Sequence, residues 1–423
     1  MPITGTVPPL RLEFFDRDWC SCNVRTTFTL ALSLLSTPVL LQGQDYPQWR
    51  GAQRDGSASR FVAPVVWPES LVRQWSIEVG EGYSTPIIGG DTIYIFSRQQ
   101  DLELLRALDV RTGTERWRSG YSAPYVLSEP IRAHGAGPKA TPLFYRGKVY
   151  TLGITGIVSA FDAKTGKRVW QTAEPNEHPF FSAASSPVGY NDLVIAHPGN
   201  YEALTAFDAH TGKVRWVAGD PGAYASPMIA EFAGDTQVIT VTQESVIGVS
   251  PDDGRVLWRY PWKYGVNAIT PVVHNDMVIV SGQNMGVTAM RPTRRASEWS
   301  VEVVWQTKEI SLLLSDPVVV DATLFGLSNR ASGQFFAADA TSGKVLWLGE
   351  PRQATNTAIA KAGGILFLLN DDGELIVTRA SRRAFDPITR YRISERPTWA
   401  QPAISGTKIL VKDSTALTMW SLH

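Results

Sequence analysis

An all-β fold, an eight-bladed propeller of four-stranded antiparallel blades, is what this 423-residue chain predicts, and three observations predict it. An eleven-residue unit recurs at the spacing of propeller blades. Between its copies lie short apolar strands separated by turn residues. The tail holds too few strands for a whole blade, and a strand of the right kind stands near the start.

The repeated unit reads ALDVRTGTERW at 107–117, AFDAKTGKRVW at 160–170, AFDAHTGKVRW at 206–216 and AADATSGKVLW at 337–347. Residues 248–258 (GVSPDDGRVLW) are a degenerate copy, Trp305 ends another after an insertion around residues 291–298, and Tyr391 ends a weaker one. From Trp117 the anchors advance by 53, 46, 42, 47, 42 and 44 residues. Within each unit the alternating apolar residues before Asp form one strand and the stretch ending in Trp forms the next. Asp-x-x-Thr-Gly is the hairpin turn between them, with Gly supplying a positive φ and Asp bonding its own downstream backbone. The terminal Trp is expected to pack between neighbouring blades.

Two further strands precede each unit, such as those around Thr141-Pro142 and Lys148-Val149-Tyr150, joined by Arg146-Gly147. Seven repeats, starting near Ser84, Ala140, Ser185, Ala225, Ile269, Ser315 and Thr357, are complete. The tail from Gln401 to Trp420 supplies about three strands, and the stretch around Trp75, 42 residues before Trp117, supplies the fourth. A blade assembled from both termini closes the ring and removes an open edge. Eight blades are expected, with seven as the alternative.

Three segments follow: residues 1–43 as an N-terminal extension and signal peptide, 44–71 as a lead-in segment and 72–423 as the propeller. The uncharged, largely apolar run 28–41 lies between Arg25 and Gly43 and has the length of an export signal, with cleavage expected after Gly43. It is shorter than a membrane-spanning helix. No cysteine follows it, so the expected protein is periplasmic or secreted without a lipid anchor, and a monomer. Lys+Arg and Asp+Glu are both 40, which argues against a nucleic-acid binder. The two cysteines, Cys20 and Cys22, precede the propeller, which leaves it without a disulfide framework, a thiol nucleophile or a Cys-based metal site.

The AxDxxTGxxxW unit resembles the pyrroloquinoline-quinone (PQQ) propeller repeat, over roughly residues 72–423. The opening Tyr46-Pro47-Gln48-Trp49-Arg50-Gly51, with Arg54-Asp55-Gly56, is similar to the start of exported PQQ-like repeat proteins. That superfamily includes quinoprotein alcohol dehydrogenases and the non-enzymatic BamB-type protein of outer-membrane β-barrel assembly. The resemblance to the dehydrogenases implies PQQ under an adjacent Cys–Cys disulfide, a calcium held by Glu and Asn side chains, and an Asp base. The propeller has no cysteine and no Cys-x-x-Cys-His haem site, and no dense acidic run offers the six to eight oxygens calcium takes. Asp252-Asp253 and Asp371-Asp372 stand at turns beside glycines and read as turn residues. HExxH, GxSxG and phosphate-loop motifs are absent. The expectation is a non-catalytic envelope scaffold that binds a protein or glycan. The alternative is a small PQQ-dependent dehydrogenase, with Ca2+, oxidising alcohols or sugars.

A binding site in such a fold is expected among the connectors that join the outermost strand of one blade to the innermost strand of the next. Residues 119–139 include Tyr121, Tyr125, Glu129, Arg132, His134 and Lys139; residues 171–184 include Glu177 and His178; residues 259–267 include Trp262 and Lys263. The residue before the innermost-strand proline is Thr85, Thr141, Ser186, Ser226 and Thr270 in five blades but Asp316 in the sixth. A carboxylate there could pair with Lys139 or touch a ligand. The channel-mouth candidates are therefore Lys139, Glu177, His178, Asp316 and Asn356, with no catalytic and no metal residue named.

Overall fold

A computed structural model describes residues 1–2, 5, 46–58, 60–175, 181–199, 203–222, 224–263 and 268–423. It contains eight four-stranded sheets, each antiparallel between sequence neighbours. Blade 1 is Ile87–Gly89, Thr92–Gln99, Leu102–Asp109 and Glu115–Ser122. Blades 2 to 7 begin at Leu143–Tyr145, Val188–Tyr190, Met228–Phe232, Val272–His274, Val318–Val320 and Thr357–Ala362. Blade 8 is Ala403–Ser405, Lys408–Lys412 and Ala416–Ser421, completed by the N-terminal strand Val72–Glu78, which pairs antiparallel with Ala416–Ser421. Eight blades with both termini in one sheet are thus observed.

The apolar core is divided into eight clusters, one at each seam between neighbouring blades. Each inner strand has two buried faces, as Thr92–Gln99 shows with seven of its eight residues buried. The strands are therefore continuous apolar runs rather than alternating ones.

The repeated unit turns out to be one latch. The Asp162 carboxylate accepts from the backbone N–H and hydroxyl of Thr165 at 2.8 and 2.7 Å, which fixes the turn. Gly166 then sits at φ +74°, and a Cβ there would stand 2.5 Å from the Trp117 indole of the preceding blade. Gly212 meets Trp170 the same way, with φ +73° and 2.6 Å. Glycine is required twice over, for the left-handed backbone and for the flat face it offers to the ring. The indole N–H donates to a carbonyl next to that turn: Trp117 to Ala163 O at 3.2 Å, Trp170 to Ala209 O at 3.1 Å, Trp216 to Pro251 O at 2.9 Å and Trp305 to Ala340 O at 3.1 Å.

Three seams depart from this pattern: Trp347 donates to Ser381 O at 2.8 Å in a turn without glycine, Tyr391 replaces a Trp and donates to Pro68 O at 2.9 Å, and Trp258 faces an altered blade 5. Blade 5 carries the long hairpin Gly286–Arg295 and Glu298–Thr307 in place of the short turn, so Trp258 has no glycine of that kind to rest on. Its indole donates instead to Gln237 Oε1 within blade 4, at 2.7 Å. The long hairpin is tied to blade 4 by an ion pair of Arg294 with Asp235 at 2.7 Å.

Among the described residues no helix is long and apolar enough to cross a membrane. The export signal read at residues 28–41 lies outside the described residues.

Candidate functional site

The channel mouth is organised by the residues that precede the innermost-strand prolines. A residue before proline is held in extended backbone, and here its N–H points to the adjoining blade. Gln401 N donates to Thr85 Oγ1 (3.2 Å), Thr85 N to Thr141 Oγ1 (3.2 Å), Thr141 N to Ser186 Oγ (2.9 Å) and Ser186 N to Ser226 Oγ (2.9 Å). The fifth blade repeats the bond with a carboxylate as acceptor: Thr270 N donates to Asp316 Oδ1 at 2.8 Å, and Thr270 Oγ1 to Asp316 Oδ2 at 2.9 Å. Asp316 therefore occupies a hydroxyl position of an inter-blade belt.

The lead-in segment explains why that position bears a charge. Residues 46–58 thread the channel. Tyr46 bridges Ile88 of blade 1, Phe144 N of blade 2 donates to Pro47 O, and Ser57 bridges Lys361 of blade 7. Trp49 Nε1 donates to Thr270 Oγ1 at 3.1 Å. Arg54, which is buried, donates to Ser186 O at 3.0 Å and Pro187 O at 2.9 Å. Arg50, only 1% exposed, donates to Pro317 O at 2.5 Å and lies 3.9 Å from Asp316 Oδ2. Asp316 thus pairs with Arg50, and not with Lys139, whose amine donates to Gly135 O at 3.3 Å. Burial raises the Asp316 pKa, opposed by the Arg50 charge and by the Thr270 bonds. Burial, with the neighbouring Arg50, lowers that of Arg54 to about 9.

Above this stopper lies a cavity of about 370 Å³. All eight blade-to-blade connectors contribute to its wall: Tyr83, then His134 and Lys139, then Phe181, Tyr224, Ala268, Leu314 with Asp316, Asn356 and finally Trp399. Gln283 adds an amide from a hairpin of blade 5, and Trp49 adds the indole carried up by the lead-in segment. The His134 ring stands edge-on to Trp399 with centroids 4.4 Å apart, and Tyr83 is 6.3 Å from His134. Burial and the charge of Lys139 lower the pKa of His134, and burial lowers that of Lys139 to about 8.

Three of the five candidates read from the sequence, Lys139, Asp316 and Asn356, line this one cavity. Glu177 and His178 lie outside the described residues. Tyr121 belongs to the blade rather than to the connector: the outer strand runs to Ser122, and the Tyr121 hydroxyl donates to the buried Glu103 Oε2 at 2.7 Å. The sequence reading missed Arg50, Arg54, Trp49 and the aromatic pair Tyr83 and Trp399. A carboxylate in a hydroxyl position calls for a cation, and that was the available signal for Arg50.

The residues present do not fit a calcium ion. Asp316 is the one carboxylate among the described residues lining the cavity, both its oxygens accept from Thr270, and two buried guanidinium groups flank it. A cation placed there would meet the Arg50 charge. Among the described residues no group of three or more His, Cys, Asp or Glu side chains converges.

The model of a family described as outer membrane protein assembly factor BamB matches residues 101–348. The chain is 22% identical over 369 residues to a 1-butanol dehydrogenase (cytochrome c) from Thauera butanivorans, covering 76% of this chain and 50% of that protein. It is 26% identical over 255 residues to outer membrane protein assembly factor BamB from Yersinia pestis, covering 56% and 63% respectively. These matches span between half and two thirds of those relatives' own length. Among solved structures, BamB from Moraxella catarrhalis superposes with a TM-score of 0.62 at 15% identity, covering 83% of this chain and 97% of that one. Quinohemoprotein alcohol dehydrogenase from Comamonas testosteroni gives 0.63 at 14% identity, covering 90% and 80%. At such identities the two likenesses establish the fold alone.

Proposed function

This chain belongs to the family of the outer membrane protein assembly factor BamB, and on that premise we propose that it is an exported, non-catalytic propeller that holds a protein or glycan partner at the connector-face cavity. The observation that carries the reading is the cavity itself. It is closed below by the protein's own Trp49, walled by every connector, and rich in aromatic side chains. Rigid aromatic groups in a concave site are the usual anchors of recognition.

The second reading is a small PQQ-dependent dehydrogenase, supported by the likeness to a butanol dehydrogenase. The pairing of Asp316 with Arg50 and Thr270 speaks against it, because the carboxylate that would serve a metal or act as a base is already engaged. No cofactor is required by the binding reading.

The test is capture of envelope partners by the immobilised full chain. Tyr83→Ala and Trp399→Ala should reduce capture several-fold without changing the melting temperature. Unchanged capture by both variants would move the site away from the cavity.

A further inference from the structure

We propose that the cavity takes a ligand bearing a carboxylate on a six-membered ring, with Lys139 receiving the carboxylate and Trp399 and Tyr83 receiving the ring. The proposal rests on the binding reading above and names its ligand chemistry. Charge carries the first half. Lys139 supplies the one ammonium or guanidinium group among the described residues lining the cavity. An ammonium has three N–H donors, and one is used, on Gly135 O. Two buried acids of this region are already engaged: Asp316 is bonded to Thr270 and faces Arg50. Glu103 is fully buried, with its oxygens accepting from Ile154 N and the Tyr121 hydroxyl. Arg50 and Arg54 lie buried beneath the floor, and Nε and Nη1 of Arg50 and Nε of Arg54 have no hydrogen-bond partner. Among the described residues the cavity is thus a concave site whose one lining carboxylate is engaged and whose one lining ammonium keeps open donors, which favours an anion at Lys139.

The walls carry the second half. Trp399, Tyr83 and Trp49 present aromatic surface to a ring of about their own size. Two amides, Gln283 and Asn356, stand in the same wall. Asn356 Oδ1 accepts from Ser315 Oγ at 2.8 Å, which leaves its NH2 group as the donor toward a ligand. Amides of this kind suit ring hydroxyls, so the arrangement favours an acidic sugar over an aromatic acid.

Calorimetric titration of the full chain with glucuronate, glucose and benzoate tests this. Glucuronate should bind at least ten-fold more tightly than glucose. Lys139→Met should erase that preference and Lys139→Arg should keep it, both with unchanged melting. Benzoate binding as well as glucuronate while glucose fails would support the carboxylate-bearing ring and assign it to an aromatic acid. The proposal is overturned if acid and neutral sugar bind alike, if the preference survives in Lys139→Met, or if none of the three binds. Partner capture is scored separately. Capture that depends on Trp399 without any preference for the acid would remove this inference and leave the binding reading standing.

Discussion

The two rims of the propeller are built on opposite principles. On the rim of the Asp-x-x-Thr-Gly turns, one device is repeated: a Trp from one blade lies on the glycine of the next and bonds the carbonyl beside it. On the connector rim almost nothing repeats except the belt of hydroxyls, and each connector offers a different side chain to the cavity. The first rim can reuse one device at four seams because those seams meet the same packing problem. The second can vary because the belt beneath it already holds the blades together. Repeated packing is therefore concentrated on one rim and varied side-chain chemistry on the other.

The largest effect is expected from removing the segment that joins the two rims. Deleting residues 44–79 takes away both the channel stopper and the strand that closes blade 8. The truncated chain should lose cooperative melting and aggregate through its open edge, as read by size exclusion and thermal scans. A monomeric chain with a cooperative melt would show that the ring does not depend on this segment.

Next in size is Trp216→Ala on the turn rim. It should destabilise the protein by about 3–5 kcal/mol, as for other large aromatic truncations in cores. Trp399→Ala on the connector rim should cost far less. Equal losses in chemical denaturation would erase the distinction between the rims.

The belt permits a finer test. Arg50→Met leaves Asp316 buried beside fewer cations and should cost about 3–5 kcal/mol. Adding Asp316→Thr restores the hydroxyl found at this position in other blades and should recover part of that loss, a coupling that a double-mutant cycle in denaturant would measure. Additive losses would mean that the two side chains act independently.

The smallest expected effect concerns Lys412, at the seam between the closing blade and blade 1. Its amine donates to Gly82 O at 3.0 Å and Asp413 O at 2.6 Å, and burial lowers its pKa to about 7, against the charges of Asp413, Glu78 and Glu81 and with that of Arg396. A neutral amine still has two N–H groups for those two carbonyls. The folded state thus binds fewer protons than the unfolded chain between about pH 7 and the ordinary lysine range. Stability should therefore rise with pH across that window, by on the order of 2 kcal/mol from pH 7 to 9.5. Lys412→Met should flatten this part of the profile. An unchanged slope would assign the rise to other groups.

The same contrast explains what could be read in advance. The turn rim was legible because Asp162, Thr165, Gly166 and the next Trp stand within one short unit that recurs, so local turn chemistry and period gave the blades and their count. Lys139, Asp316 and Asn356 were placed at the mouth because the connectors could be located between blades. The partner of Asp316 was not, since Arg50 lies 266 positions earlier, in a lead-in segment without a repeat whose path through the channel only the folded ring defines. The aromatic wall was missed for the same reason: Tyr83 and Trp399 are far apart in the chain and meet only because the ring closes.

On the proposed function, this channel mouth binds its partner without quinone chemistry. Mixing the purified full chain with PQQ and Ca2+, with butanol as substrate and a dye as electron acceptor, tests that most directly. No calcium-dependent uptake of PQQ and no butanol-dependent dye reduction are expected. Stoichiometric, calcium-dependent uptake followed by turnover of butanol would contradict the proposed function.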